Sequence, residues 1–181
     1  MRIIAGKYRG KQLFSPQIGE VRPTSDRARE ALFNILNSKL GGNWQNVTFL
    51  DVFAGTGAIG FEALSRGAEK VAFVDINTAN LLKNTRLFPD EKQKIEVYKA
   101  KAENLPSAGG KFNLIFLDAP YNKGLSEPAL SELRQKGWID DDALIVVETE
   151  KNEKLDTPSV FELVDQRIYG PALFRFFRIA A

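Results

Sequence analysis

The stretch FLDVFAGTGAIG, residues 49 to 60, runs from apolar residues through an acid into a glycine-rich loop and on into an alanine-isoleucine segment. It reads as a buried strand, a tight loop and the start of a helix. Such loops hold nucleotides, because glycines let main chain approach a ligand and the helix start offers free N–H groups. Gly55, Gly57 and Gly60 satisfy G-x-G-x-x-G, and Asp75 closes the next apolar run 20 residues after Gly55. That acid is placed to take ribose hydroxyls. On these features alone a nicotinamide dinucleotide fits as well as any other adenosine cofactor.

Outward from this stretch, the chain alternates between two patterns. Apolar runs VTFLDVF, KVAFVDI, KIEVYKA, FNLIFLD and ALIVVET read as strands. Between them, AIGFEALSRG, NTANLLKNTRLF and GLSEPALSELRQKG read as helices. Near-continuous apolar strands separated by helices predict an α/β protein with a buried, mostly parallel sheet. The tail VFELVDQRIYGPALFRFFRI reads as two strands around Gly170-Pro171. Phe174, Phe176 and Phe177 then belong to the sheet core, and Arg175 and Arg178 to an exposed face.

Upstream, RIIAGKYRGKQLF suggests a short hairpin turning near Gly6 or Gly10. RPTSDRAREALFNILNSKLGG predicts a helix capped by Thr24 or Ser25 and stopped at Gly41-Gly42. Its apolar stripe is Ala28, Ala31, Leu32, Ile35, Leu36 and Leu40. The segment 1–46 carries eight basic and three acidic groups, whereas the rest carries 17 basic and 20 acidic. A basic head on a mildly acidic body suggests contact with a polyanion. Arg2, Lys7, Arg9, Lys11, Arg27 and Arg29 are the candidate nucleic-acid-binding residues.

The chain has no cysteine and no histidine, so thiol chemistry, zinc knuckles and the usual general base are excluded. The chemistry falls to carboxylates, main-chain groups and a cofactor, with no metal. No stretch reaches the roughly 18 apolar residues of a membrane span, and the N-terminus lacks the apolar region of a signal peptide. A cytoplasmic enzyme is the expectation.

Three details favour a cationic cofactor over a dinucleotide. Asp51 precedes the loop, where it would repel a pyrophosphate and attract an ammonium. The fourth strand ends in Asp118-Ala119-Pro120-Tyr121, a carboxylate, a stiffened turn and a ring at the edge where open α/β sheets bind ligands. The chain then ends in two more strands, without a second nucleotide-binding half.

DxFAGTG and Asp118-Ala119-Pro120-Tyr121 resemble the first and fourth motifs of class I methyltransferases that use S-adenosyl-L-methionine (SAM). The match to the RsmD family runs almost end to end, through RIIAGKYRGKQL, RPTSDRAREALFNIL, DVFAGTGAIGFEALSRGA, DAPY and GWIDDDALIVVETE. The RPT-x-DRAREALFN segment is its most specific part. The resemblance implies a Rossmann-like class I methyltransferase fold. Its sheet would be seven-stranded and mostly parallel, with an antiparallel C-terminal strand. A basic hairpin-and-helix extension, 1–46, would precede a methyltransferase domain, 47–181.

The activity implied is transfer of methyl from SAM to the exocyclic N2 amine of one guanine in small-subunit (16S) ribosomal RNA. The partner would be an assembling or assembled small ribosomal subunit, met by a monomer. The same logic also fits an adenine-N6 methyltransferase of DNA or RNA. Ala119 stands where the family usually has proline, so a SAM- or RNA-binding protein with impaired catalysis is a third reading.

The implied catalytic residues are Asp118, Ala119, Pro120 and Tyr121. Asp118 and the Ala119 carbonyl would accept the amine N–H groups, and Tyr121 would stack on the flipped base. The implied cofactor residues begin with Asp51 and with Phe53, Ala54, Gly55, Thr56 and Gly57 of the loop. Asp75 would take the ribose, Ile76 the adenine face, and Ala102 and Glu103 its polar edge. Asp118 completes the cofactor side, and Arg22 and Thr24 would close over cofactor or RNA.

Overall fold

The computed structural model describes residues 1–16 and 24–181. Seven strands form one sheet in the order β3-β2-β1-β4-β5-β7-β6. They are β1 Thr48–Val52, β2 Lys70–Asp75, β3 Ile95–Lys99, β4 Phe112–Leu117, β5 Ile139–Glu150, β6 Phe161–Tyr169 and β7 Ala172–Ile179. The first five run parallel. β7 is antiparallel to both β5 and β6, so it is the one strand that runs against the rest. This is the expected seven-stranded, mostly parallel sheet.

The helices are α1 Asp26–Lys39, α2 Ala58–Ser65, α3 Ala79–Thr85 and α4 Ser126–Gln135. One face of the sheet buries Phe49, Phe73, Phe116, Val146, Phe174 and Phe176 under α1, α2, α3 and the N-terminal segment. The other face buries Leu50, Val52, Ile115, Leu117, Ile145 and Val147 beneath α4 and Trp138. The alternating residues of each strand therefore serve two separate cores. That is why these runs are apolar throughout rather than every second residue.

Two elements differ from expectation. α3 stops at Thr85, and a 3₁₀ turn at Pro89–Lys94 follows, because Pro89 cannot extend the α-helical hydrogen-bond ladder. β5 begins four residues before ALIVVET and takes in Ile139 to Asp142. A register shift between Phe112 and Leu114 of β4 accommodates the acidic run.

The hairpin is minimal. A single antiparallel bridge joins Arg2 and Gln12, with main-chain bonds from Ile3 to the Lys11 carbonyl and from Leu13 to the Met1 carbonyl. α2 satisfies several of its other polar groups. The Glu62 carboxylate, buried on α2, accepts the Ile4 and Ala5 amides at 2.8 and 3.0 Å. Ser65 Oγ accepts the Tyr8 amide and donates to the Ala5 carbonyl. Ile3 and Leu13 enter the same core as Leu32, Phe33, Leu36 and Trp44.

In α1 the buried face is Ala28, Arg29, Leu32, Phe33 and Leu36. Ala31, Ile35 and Leu40 are only half-buried. The stripe is thus rotated towards Phe33 and Arg29 from the one the apolar spacing predicts. Ser25 is the cap, its hydroxyl accepting the Ala28 amide at 3.1 Å. Among the described residues, no helix is long and apolar enough to cross a membrane.

Candidate functional site: four carboxylates at one sheet edge

Strand register places the acids. Asp51 on β1 pairs with Phe73 on β2 and Phe116 on β4, so its side chain leaves the sheet on their face. Asp75 lies two residues beyond Phe73, Asp118 two beyond Phe116, and Glu148 two beyond Val146. With a period of two, all four carboxylates project from one face near the C-terminal ends of adjacent strands. Sequence reading found three of them and missed Glu148. Its signal was the same as theirs: an acid closing a continuous apolar run.

Asp51 is buried, and its Oδ2 accepts the Gly60 amide at 3.0 Å. Burial pushes its carboxyl well above the ordinary value, and the charge of Asp75 adds to the rise, against the Gly60 bond. Asp118 is raised in the same direction by burial and by the charges of Glu148 and Asp51. Glu148, only 3% exposed, accepts the Thr24 hydroxyl at 3.3 Å and the Tyr121 hydroxyl at 3.4 Å. Burial lifts its carboxyl to about 7, although both hydroxyls work against the rise. The Tyr121 phenol is itself pushed up by burial and by the charges of Glu148 and Asp118. A cluster of acids held this way repels an anion and gains from a cation.

The glycine loop divides into packing and open positions. A Cβ on Gly57 (φ +83°) would fall 2.6 Å from both Leu81 and Phe61, and one on Gly60 would strike Phe73. Gly60 lets α2 lie close to β2, and Gly57 lets the loop pass under Leu81 of α3 and Phe61 of α2. Gly55 (φ +58°) faces open space, with nothing within 4 Å of its virtual Cβ. Phe53 holds a positive φ of 61° without being glycine. Asp75 ties the loop down: Oδ2 accepts the Gly55 amide at 2.7 Å and Oδ1 the Asn77 amide at 2.8 Å. Ile76 beside it is 63% exposed, an apolar side chain left bare at the edge of the loop. Ala54 and Thr56 are half-buried, Ala102 is buried and Glu103 exposed.

After Asp118, Ala119 is buried, Pro120 exposed and Tyr121 half-buried. Asn122 has a positive φ of 55° and is tethered to the end of β5, its amide to Glu153 and its side chain to Glu150. Thr24 is brought to the site through Glu148. Arg22 lies outside the described residues.

The basic residues fare unequally. Arg29 is fully buried, its guanidinium donating to the Arg2 carbonyl and pairing with Asp26 at 3.0 Å. It is an internal strut between α1 and the N-terminal segment, so it leaves the list of surface contacts. The apolar stripe misled because a buried arginine looks like helix solvation in sequence. Lys7 pairs with Glu91 at 2.9 Å, and Lys11 donates to the Leu87 carbonyl. Arg2 faces Asp26 at 3.7 Å. Arg9 and Arg27 are exposed.

The family model described as "Conserved hypothetical protein 95", which is the RsmD family, matches residues 1–178. The chain belongs to the RsmD family. The ribosomal RNA small subunit methyltransferase D of Haemophilus influenzae is 37% identical to it, covering 98% of this chain and 93% of that protein. The protein of the same name from Escherichia coli K12 is 35% identical, covering 98% and 89%. A solved E. coli structure described as the putative methyltransferase yhhF superposes with a TM-score of 0.82. It shares 34% identity and covers 100% of this chain and 98% of that one. The sheet order and this likeness make the fold that of a class I methyltransferase, as RsmD members have.

Proposed function

We propose that this RsmD-family protein transfers a methyl group from SAM to the N2 amine of a guanine in 16S ribosomal RNA, in the cytoplasm and as a monomer. The observation that carries the cofactor is the set of mutually repelling carboxylates, with Asp51 and Glu148 buried and Asp118 half-buried, beside an open glycine loop. A pyrophosphate would meet repulsion there, whereas an ammonium and a sulfonium would relieve it. The names of the relatives support an RNA of the small ribosomal subunit as the acceptor.

The residues fit SAM. Asp51 would hold the amino-acid ammonium, and Phe53 to Gly57 would line the methionine part with main chain. Asp75 would take the ribose hydroxyls through acceptor positions its two amide bonds leave free. Exposed Ile76 would cover the adenine, with Ala102 and Glu103 at its polar edge and Thr24 at the mouth. SAM supplies an electrophilic methyl group on a sulfonium.

The chain's own part is to prepare the nucleophile. Guanine's amine is weak because its lone pair is spread into the ring. Asp118 and the Ala119 carbonyl would accept its two N–H bonds and aim the lone pair. They would also stabilise the positive charge that develops on nitrogen. The surplus amine proton then leaves to Asp118 or to water, and a carboxyl with raised proton affinity suits that task. Tyr121, held by Glu148 and its tethered neighbour Asn122, would stack on the base.

The test is transfer of labelled methyl from SAM to undermethylated small-subunit particles, followed by digestion to nucleosides. N2-methylguanosine is expected. Label only on adenine, or none with SAM bound, would overturn the reading.

A further inference from the structure

Asp51, Asp118 and Glu148 do not have equal duties in the scheme above. Asp51 is assigned to the cofactor and Asp118 to the amine, while Glu148 has no task beyond holding Tyr121. Its position is unusual for a mere prop. Leu117 of β4 pairs with Val147 of β5, so Asp118 and Glu148 follow side by side on neighbouring parallel strands. They project from the same face of the sheet. The two hydroxyls that reach Glu148 come from different segments, Thr24 before α1 and Tyr121 after β4, and each touches a different carboxylate oxygen. A carboxylate has about four acceptor positions, so one on each oxygen is left. The hydroxyls fix the group's orientation without exhausting it.

The bases differ in what they offer such a pair of acceptors. On its Watson–Crick edge guanine presents two adjacent donors, N1–H and the N2 amine. Adenine presents an acceptor at N1 beside its amine. Flipped bases are read by hydrogen bonds to this edge.

We infer that Glu148 selects guanine: its carboxylate accepts the N1–H of the same base whose N2 amine is held by Asp118 and the Ala119 carbonyl. This rests on the reading of the site given above. Above about pH 7, where Glu148 is ionised, adenine in that place would turn its N1 lone pair towards a buried carboxylate, leaving two acceptors facing each other. Sites built around a hydrogen bond reject a base that cannot make it far more strongly than sites built on shape. Glu148 is then a specificity determinant, and its contact with Tyr121 couples recognition of the base edge to the ring that stacks on its face.

The test uses small-subunit particles reconstituted from RNA in which the target guanosine is replaced by 2-aminopurine riboside. This base keeps the C2 amine but has an acceptor at N1. Wild-type protein should methylate the guanine particle at least about 100-fold faster in kcat/KM than the 2-aminopurine particle. Glu148→Gln should lose roughly 10- to 100-fold on guanine, the worth of a charge-assisted hydrogen bond. Its guanine to 2-aminopurine ratio should narrow by about tenfold or more, since a glutamine amide can donate to N1. SAM affinity by calorimetry should fall by less than the rate on guanine does, because Glu148 adds charge to the site without touching the cofactor, and Glu148→Asp should recover part of the preference.

Wild-type rates on the two particles within about threefold of each other would overturn the inference, whatever the variants do. So would a Glu148→Gln protein that is slower yet keeps the wild-type ratio, which is the signature of a purely structural role. A wild-type protein that binds SAM but puts no label on guanine would instead overturn the reading of the site itself.

Discussion

The Asp75 carboxylate accepts the Gly55 amide at 2.7 Å, which clips the end of β2 to the loop that follows β1. The same carboxylate accepts the Asn77 amide, so one side chain sets the loop and the turn into α3 together. Its remaining acceptor positions face the ribose in the proposed complex. Asp75→Ala should therefore weaken SAM binding roughly 10- to 100-fold, the scale of a lost charged hydrogen bond. Titration calorimetry checks this. Unchanged affinity would remove Asp75 from the cofactor site.

The glycines of the loop separate stability from binding. A methyl at Gly57 would meet Leu81 and Phe61 at 2.6 Å and would also hold a strained φ. Gly57→Ala should cost about 2–4 kcal/mol of stability in chemical denaturation, the range of overpacking plus backbone strain. Gly55 has open space around it, so Gly55→Ala should cost only about 1 kcal/mol. Its methyl would enter the space proposed for the cofactor, so SAM affinity should fall by more than about tenfold. Equal losses of stability in the two variants would contradict the distinction.

Acidity provides a second handle. The carboxyls of Asp51, Asp118 and Glu148 hold protons more tightly in the folded chain than when unfolded. Where the native state binds more protons, stability falls as pH rises. For Glu148 the window runs from the ordinary 4.5 to about 7. Glu91 is held down at about 2 because Lys7, Lys94 and Tyr8 override its burial, so its contribution is constant across that window. The ligand-free protein should melt at lower temperature at pH 8 than at pH 5.5. The rise in melting temperature on adding SAM should be larger at pH 8, where Glu148 is mostly charged and Asp51 and Asp118 are less protonated than at pH 5.5. A SAM shift independent of pH would count against a cationic ligand among these acids.

Ala119 takes the place of a usual proline, and Pro120 already compensates. A residue before proline is steered away from the helical region into the extended one, which supplies most of the rigidity the missing ring would give. Ala119→Pro should change the methylation rate by less than about threefold. A large gain would mean instead that this chain is a SAM- or RNA-binding protein with impaired catalysis.

On the basic face, Arg9 and Arg27 are exposed, whereas Arg29 is internal. Arg9→Glu with Arg27→Glu should lower kcat/KM on ribosomal particles and flatten its dependence on salt, with SAM affinity unchanged. Activity indifferent to both changes would place the RNA elsewhere.

Most of the fold could be read from the chain because two-sided burial makes each parallel strand continuously apolar and each terminating acid conspicuous. Asp51, Asp75 and Asp118 stood out in that way. Glu148 carried the same mark but sat in ETEKNE, where a cluster of charges hid which one faces inward. Arg29 was misplaced because helical spacing reports period and not which flank of the stripe is covered. The Met1–Leu13 segment covers that flank, and no local pattern in α1 announces it. The long β5 escaped because Asp140 to Asp142 look like a loop, while their main chain continues the strand.

In the proposed reaction Asp118 acts on the acceptor amine, and Asp51 holds the cofactor's ammonium. Asp118→Asn preserves shape and removes the charge. Single-turnover methyl transfer to undermethylated small-subunit particles should fall by more than about 100-fold in the variant, with SAM affinity falling far less than the rate. A variant that transfers methyl at the wild-type rate would contradict the account.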